Sequence, residues 1–205
     1  MGDIELVGRS SSHFTRVARM FALELGVAHT FRPVLDLATL DPVAYAGNPA
    51  LKIPVLVDAH GALFGTENIC RALVRHAGSP PGAILRGEVP DRVVANAEEL
   101  VLHALSTEVT LVMARLSGAG PLSPKLAPSL ERSLDYLDAQ LEATLAALPA
   151  DRTVSFVEVA LFCLVRHLPF RQVLDVAPWT RLTAFADRFG ERASARATEY
   201  RFDAA

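Results

Sequence analysis

Asn48-Pro49-Ala50-Leu51-Lys52-Ile53-Pro54-Val55-Leu56-Val57-Asp58-Ala59-His60-Gly61-Ala62-Leu63-Phe64-Gly65-Thr66-Glu67-Asn68 is the stretch whose reading decides the fold. Ile53 to Val57 is a short apolar run rich in β-branched residues, and Ala62 to Phe64 is a second such run. His60-Gly61 punctuates them, so the expectation is a tight hairpin. Pro54 cannot donate to a ladder, which confines it to the start or the edge of a strand. Thr66-Glu67-Asn68 then opens a helix expected over about 67–76, setting a carboxylate and an amide beside exposed backbone N–H groups. Polar side chains gathered at such a corner either cap the helix or meet a ligand.

Upstream, Ile4 to Val7 reads as a short strand ending at Gly8, and Arg9-Ser10-Ser11-Ser12-His13 is a polar cluster. Phe14, Val17, Ala18, Phe21, Ala22 and Leu25 then repeat at helical spacing, with Gly26 as the C-terminal cap, so a helix is expected over about Ser12–Leu25. His29 to Val34 is a second strand, marked as an edge by Arg32 and Pro33. Leu35 to Gly47 is irregular, with Asp41-Pro42 as a short helix start. The order strand, helix, strand, irregular segment, hairpin, helix is a βαβ unit followed by ββα. That is the thioredoxin-like arrangement, with a proline before the third strand. Its βαβ half gives a parallel pair and its hairpin an antiparallel one, so the sheet is mixed.

Downstream, Ala77-Gly78-Ser79-Pro80-Pro81-Gly82 is a linker, and the rest reads as helix. One long helix covers Asp91 to Leu116, ended by Gly118, Gly120 and Pro121. Leu130, Leu134, Leu137, Leu141, Leu145 and Leu148 form a stripe that stops at Pro149. A third helix runs from Ser155 to about His167, terminated by Pro169, and a last one starts near Pro178 and ends near Phe189-Gly190. Ser155 and Glu158 form a capping box before Val159-Ala160-Leu161-Phe162-Cys163-Leu164-Val165, a run apolar all round and therefore buried. The domains expected are residues 1–77, a linker over 78–87, and an all-helical bundle over 88–205.

With 51% hydrophobic and 21% charged residues, the 205-residue chain is globular and large enough for a substantial core. A net charge of -3 without any basic block argues against nucleic acid as a partner. Cys70 and Cys163 stand far apart in apolar surroundings and make neither a metal spacing nor a disulfide framework. Met1-Gly2-Asp3-Ile4-Glu5 has no signal-peptide pattern, and Val7 holds the place where a myristoylation signal needs Ser or Thr. No apolar run is long enough to span a bilayer. These features point to the cytoplasm, without membrane or metal.

The serine cluster lies where a strand feeds a helix. Ser10 and Ser11 read as loop polarity and capping, whereas Ser12 sits at the helix start. There its hydroxyl and the positive end of the helix dipole both favour an anion, in particular a thiolate. A free thiol, with a pKa of about 8.5, is only slightly ionised at neutral pH, and each unit of depression multiplies the reactive form up to tenfold. The hydroxyl is then a donor, because a Ser12–His13 hydrolase pair would diverge on one helix. Disulfide exchange needs a cysteine at this helix start, and the position holds serines instead. Glu67 and Asn68 read either as helix-start residues or as contacts to a zwitterion, and Pro54 nearby favours the second. Lys52 is a solvated charge or an anchor for a second carboxylate. His103 on the long helix reads as a solvated or core histidine.

Taken together, the chain resembles the cytosolic glutathione S-transferases over nearly its whole length, in particular the bacterial, serine-type, theta/zeta-like members. The resemblance rests on Asn48-Pro49 with Lys52-Ile53-Pro54-Val55-Leu56, on Gly61 with Glu67-Asn68, on Ser12, Arg16, Arg19, Leu23 and Gly26, and on Ser155 with Glu158. The tail from Pro178 through Arg188 to Ser194 and Thr198 follows too. It departs from the family pattern with Asn68 for Ser, Leu51 for Gly and Glu158 for Asp. The resemblance implies a glutathione site in which Ser12 hydrogen-bonds the thiolate. In it Ile53, before a cis Pro54, pairs its backbone with the cysteinyl part, Glu67 and Asn68 hold the γ-glutamyl end, and Lys52 holds the glycyl carboxylate. It further implies a homodimer that uses glutathione as co-substrate and conjugates it to a hydrophobic electrophile held between the domains. Arg9, Ser10 and His13 would form one wall of that second-substrate site, and His103, Ser106, Thr107 and Thr110 the other. The alternatives are a non-catalytic glutathione-binding or protein-interaction module, and a glutathione-dependent peroxidase, isomerase or dehalogenase.

Overall fold

The structure, a computed structural model, describes residues 3–118 and 123–204. Met1, Gly2, Gly120 and Pro121, which entered the sequence reading, lie outside the described residues. The chain forms two compact units. One comprises Met1–Leu85, Thr153–Ser155 and Ala193–Ala205, and the other Arg86–Arg152 and Phe156–Arg192.

In the first unit the strands are β1 (Glu5–Gly8), β2 (Thr30–Pro33), β3 (Val55–Asp58) and β4 (Gly61–Phe64), hydrogen-bonded in the order β2-β1-β3-β4. β1 and β2 are parallel, while β1–β3 and β3–β4 are antiparallel. This is the mixed, thioredoxin-like sheet. Its parallel pair is bridged by helix α1 (His13–Glu24), and helix α2 (Thr66–His76) follows β4. Alternation along the strands sorts their side chains by face. Val7 and Val55, opposite one another, pack with Val34 and Tyr45 on one side. Leu6 and Leu56, also opposite one another and fully buried, turn to the other. Burying a Leu, Val or Phe side chain stabilises by about 1.5–3 kcal/mol, so these layers supply most of the unit's cohesion.

The segment expected to be irregular contains a short 3-10 turn at Pro42–Tyr45, started by the Asp41 side chain, which accepts from Val43 N–H at 2.9 Å. Tyr45 donates its hydroxyl to Leu37 C=O at 2.9 Å and so ties the exposed part of this segment to its own buried ring. The hairpin turn is held by Asp58, whose Oδ1 accepts from His60 N–H at 2.8 Å. Gly61 there adopts φ 103, a left-handed value that an L side chain resists.

Two small elements of the first unit carry no sequence signal. β5 (Ala83–Ile84) pairs in parallel with β6 (Val154–Ser155), and helix α7 (Ala193–Ala197) packs on α1.

The second unit is helical. It contains, with α7 left to the other unit, α3 (Arg92–Leu116), α4 (Leu126–Ala147), α5 (Phe156–Phe170) and α6 (Thr180–Gly190). Val94, Ala97, Val101, Ala104, Leu105 and Val112 line the buried face of α3, and Leu130, Leu134, Leu137 and Leu141 that of α4. α5 is buried almost all round, as its uniform apolarity requires.

Two expected boundaries differ. Pro169 does not stop α5, which continues to Phe170. The stop comes from Gln172 in the left-handed region, φ 53, where Gln172 N–H reaches Pro169 C=O at 3.0 Å and Val173 N–H reaches Leu168 C=O at 2.9 Å. Pro178 lies before α6, whose first turn is capped from α4 instead: Asp138 Oδ1 accepts from Leu182 N–H at 2.9 Å. Glu158, expected in a capping box, also holds Arg152 in a fork, with oxygens 2.7 and 2.8 Å from Nε and Nη2. That pairing keeps the Arg152 pKa above its ordinary value.

Candidate functional site

The register of the sheet gathers three stretches of chain at one end. Val7 near the end of β1 stands opposite Val55 at the start of β3, and Val55 stands opposite Phe64 at the end of β4. The segments beyond these residues therefore leave from the same edge. They are Gly8 to Ser12 after β1, Lys52 to Pro54 before β3, and Gly65 to Asn68 after β4. Hairpin and antiparallel pairing alone dictate this convergence of residues distant in sequence.

The first stretch is a tight turn. Ser12 N–H donates to Arg9 C=O at 3.1 Å, and Arg9 N–H to Thr15 Oγ1 at 3.4 Å. Ser12 is the N-cap of α1, with extended backbone (φ -104, ψ 124) and Oγ accepting from Thr15 N–H at 3.3 Å. That bond uses the oxygen and leaves the hydroxyl proton for donation, and the side chain is half-buried rather than enclosed. Ser10 is buried, its N–H donating to Asp203 Oδ2 at 2.8 Å, while its Oγ has no hydrogen-bond partner among the described residues. Ser11 is buried too. His13 is buried with its ring 4.5 Å from that of Phe14, and Arg9 is half-buried.

The second stretch is held by Asn48, which is 5% exposed. Its Nδ2 donates to Lys52 C=O at 2.8 Å and its Oδ1 accepts from Ala50 N–H at 3.0 Å, so one side chain clamps the loop from both sides. Leu51 within that loop has φ 53, the left-handed conformation for which glycine is the easier residue. The Ile53–Pro54 peptide bond is cis. Pro54 is buried and Ile53 half-buried against the Val7–Val34–Tyr45–Val55 cluster, whereas the Lys52 side chain is exposed.

The third stretch opens α2. Gly65, at φ 88, stands at the cap position without a side-chain cap, so first-turn N–H groups are left to other partners. Glu67 is half-buried in that first turn. Asn68 is exposed and donates Nδ2 to Phe64 C=O at 3.0 Å, which leaves its Oδ1 and second amide hydrogen.

The remaining candidates lie on α3 and are engaged within the helical unit. His103 Nε2 is 3.2 Å from Ser129 Oγ on α4 and 3.4 Å from Thr107 Oγ1. Thr107 is buried, Thr110 donates its hydroxyl to Ser106 C=O at 3.0 Å, and Ser106 is exposed.

Residues 6–81 match the model of the glutathione S-transferase N-terminal domain. The first domain resembles the N-terminal domain of the glutathione S-transferases. Solved structures of glutathione S-transferases extend the likeness of fold to the rest of the chain. A glutathione S-transferase from Methylobacillus flagellatus KT, with glutathione bound, is 23% identical with a TM-score of 0.78, covering 96% of this chain and 99% of that one. A glutathione transferase family member from Pseudomonas fluorescens Pf-5, with bound glutathione, is 21% identical with a TM-score of 0.76, covering 97% and 100%. A glutathione S-transferase from Methylobacterium radiotolerans, in complex with glutathione sulfonate, is 22% identical with a TM-score of 0.67, covering 99% and 98%. No curated protein matches the chain significantly. At these identities the likeness is one of fold, that of the glutathione S-transferases.

Two residues that hold the candidate site's loops carry little or no sequence signal. Asn48 stands in the Asn48-Pro49 pair, and its Asx bond to Ala50 N–H, two residues on, is the signal that could find it. Asp203 carried no signal, since 193 positions separate it from Ser10.

Proposed function

We propose that the chain is a glutathione transferase that activates the glutathione thiolate for attack on a hydrophobic electrophile. The observation that carries this reading is the convergence of the Ser12, Lys52–Pro54 and Glu67–Asn68 segments at one sheet edge, with a Ser12 hydroxyl able to donate. Ser12 donates to the thiolate, aided by the N-terminal dipole of α1. Ile53 presents its backbone to the cysteinyl residue, Glu67 takes the γ-glutamyl ammonium, Asn68 the α-carboxylate, and Lys52 the glycyl carboxylate. Thiolate stabilisation is the chemical contribution: the ionised fraction at neutral pH rises, and the nucleophile is held in place. A cytoplasmic homodimer, with domains at residues 1–77 and 88–205, completes the proposal.

Calorimetric titration with glutathione, run beside a conjugation assay with a generic aryl halide, tests it. Wild-type protein should bind and turn over. Ser12→Ala should lower kcat/KM by about 10- to 100-fold, the scale of a lost hydrogen bond to a charged group. No binding at all would sink the proposal, and binding without turnover would leave the non-catalytic module. Asn68 motivates that second reading, because one of its amide hydrogens is already given to Phe64 C=O.

A further inference from the structure

The segment after α6 returns along α1 and is fastened to it at three levels. Ser194 Oγ hydrogen-bonds Glu24 at the C-terminal end of the helix. Arg16, 5% exposed at the middle, donates Nε to Thr198 Oγ1 at 3.3 Å and Nη2 to Ala195 C=O at 3.0 Å, and its guanidinium lies 4.3 Å from the Tyr200 ring centroid. At the N-terminal side Asp203 Oδ2 accepts from Ser10 N–H at 2.8 Å. Partners advance from 194 to 203 as α1 is read backwards from 24 to 10, so the strap runs antiparallel to the helix and ends on the turn that carries Ser12.

We propose that Asp203 is a positioning residue for the Ser12 turn, a role that rests on the glutathione reading of the site. Three hydrogen bonds within residues 9–15 shape this turn. Arg9 C=O takes Ser12 N–H, Thr15 takes Arg9 N–H, and Ser12 caps Thr15. Those bonds shape the turn locally, and the Arg16 guanidinium joins the start of α1 to Ala195 and Thr198. Asp203 adds a tether from the C-terminal segment at Ser10, and a carboxylate acceptor makes a shorter, stronger bond than a neutral one. Arg201, Phe202 and Ala204 around it are exposed while Asp203 is half-buried, so its side chain turns inward toward the Ser10 N–H. Burial, with Arg201 and Arg16, holds the Arg19 pKa below its ordinary value, and the Asp203 charge opposes that lowering. Asp203 touches a backbone N–H two residues before the thiolate donor, so it acts through Ser12 and not on the sulfur. Placement to a fraction of an ångström decides how well such a donor works.

The charge of Asp203 and its role as acceptor act on a nearby thiol with opposite signs. A carboxylate in the neighbourhood disfavours a thiolate, whereas a well-placed Ser12 favours one. Asp203→Ala removes both effects, and Asp203→Asn removes the charge but keeps an acceptor. The experiment follows thiolate absorbance of enzyme-bound glutathione against pH, together with the pH profile of kcat/KM with an aryl halide. Asp203→Ala should raise the apparent thiol pKa and lower kcat/KM by about 10-fold at neutral pH. Asp203→Asn should restore most of both. Thiol pKa values that fall in both variants would make Asp203 a charge and overturn the assignment, and so would an unchanged profile in Asp203→Ala, with or without a lower Tm. Amide hydrogen exchange on the ligand-free protein adds a readout independent of glutathione. Exchange at Ser10 should speed about 10- to 100-fold in Asp203→Ala, and unchanged exchange there refutes the tether alone. Failure of wild-type protein to bind glutathione removes the functional reading instead, and with it the role assigned to Asp203.

Discussion

Gly8 stands at the junction of β1 and the Ser12 turn, and replacing it by alanine tests how tightly that junction is built. A Cβ at Gly8 would lie 2.4 Å from both Thr15 Cγ2 and Thr15 Oγ1, and 3.0 Å from Thr15 Cβ. Carbon atoms settle at about 3.5–4.0 Å, so about 1 Å of separation has to be found. Thr15 cannot swing into solvent, because it is fully buried, and its hydroxyl accepts from Arg9 N–H. On the strand side Gly8 is in register with Pro33, and its C=O accepts from Val34 N–H at 2.7 Å, which resists a shift the other way. Overpacking of this kind costs about 1–3 kcal/mol. For a chain of this size each kcal/mol lowers Tm by about 2–4 °C, so Gly8→Ala should melt about 2–12 °C below wild type. Glutathione affinity should fall as well, because the residual displacement passes into the Ser12 turn. Thr15→Ala removes the two closest atoms but leaves the contact at Cβ. The double variant Gly8→Ala/Thr15→Ala should therefore be destabilised by less than the sum of the single variants. A Gly8→Ala protein melting with wild type, or strict additivity in the double variant, would refute this steric account.

The other predictions concern the loop before β3 and the hairpin. Asn48→Ala should cost about 1–3 kcal/mol, since Lys52 C=O and Ala50 N–H both lose their partner; denaturant unfolding measures the loss, and calorimetry should show weaker glutathione binding. Unchanged stability would mean that water replaces the clamp without penalty. Asp58 is held below the usual carboxylate range, first by His60 N–H and then, against the opposing effect of burial, by His76. A depressed carboxylate contributes stability that is present above the unfolded pKa and lost as pH falls through the folded one. The Tm gap between wild type and Asp58→Asn should thus be wide at neutral pH and close in acid, and a gap independent of pH would contradict it.

How far the sequence could be read follows from the range of the interactions involved. The hairpin was legible because alternation, Gly61 and Pro54 all act within a few residues, and β3 and β4 lie within two residues of the expected runs. α1 was legible for the same reason, since Ser12 caps it and Gly26 closes it at φ 65, with Val27 N–H on Ala22 C=O at 2.8 Å. Pro169 marks the end of α5 to within one residue, and the closure itself comes from Gln172 in the left-handed region, which its residue type does not announce. Pro178 misled because the cap of α6 is Asp138, forty-four positions away. The two-residue ladder of β5 and β6, and the five-residue α7, are shorter than any period that could announce them. At the site, Ser12, Pro54 and Glu67 were visible as residue types at chain corners. Asn48 was visible as a letter but not as a clamp. The Asp203–Ser10 bond was invisible, since nothing local distinguishes one aspartate after a helix from another.

The first unit is assembled from three separate pieces of chain, and this sets an order of events during synthesis. Residues through Leu85 leave the ribosome with the sheet, α1 and α2 in hand, but β6 and the strap over α1 come later. Residues 86 to 192 must be made before Ala193 exists. At about 5–20 residues per second that interval lasts about 5–21 s. Throughout it the Arg16 guanidinium lacks Ala195 and Thr198, and the Ser10 N–H lacks Asp203. The site end of the first unit is therefore completed by the last residues made, so the Ser10 turn gains its bond to Asp203 only when synthesis is almost over.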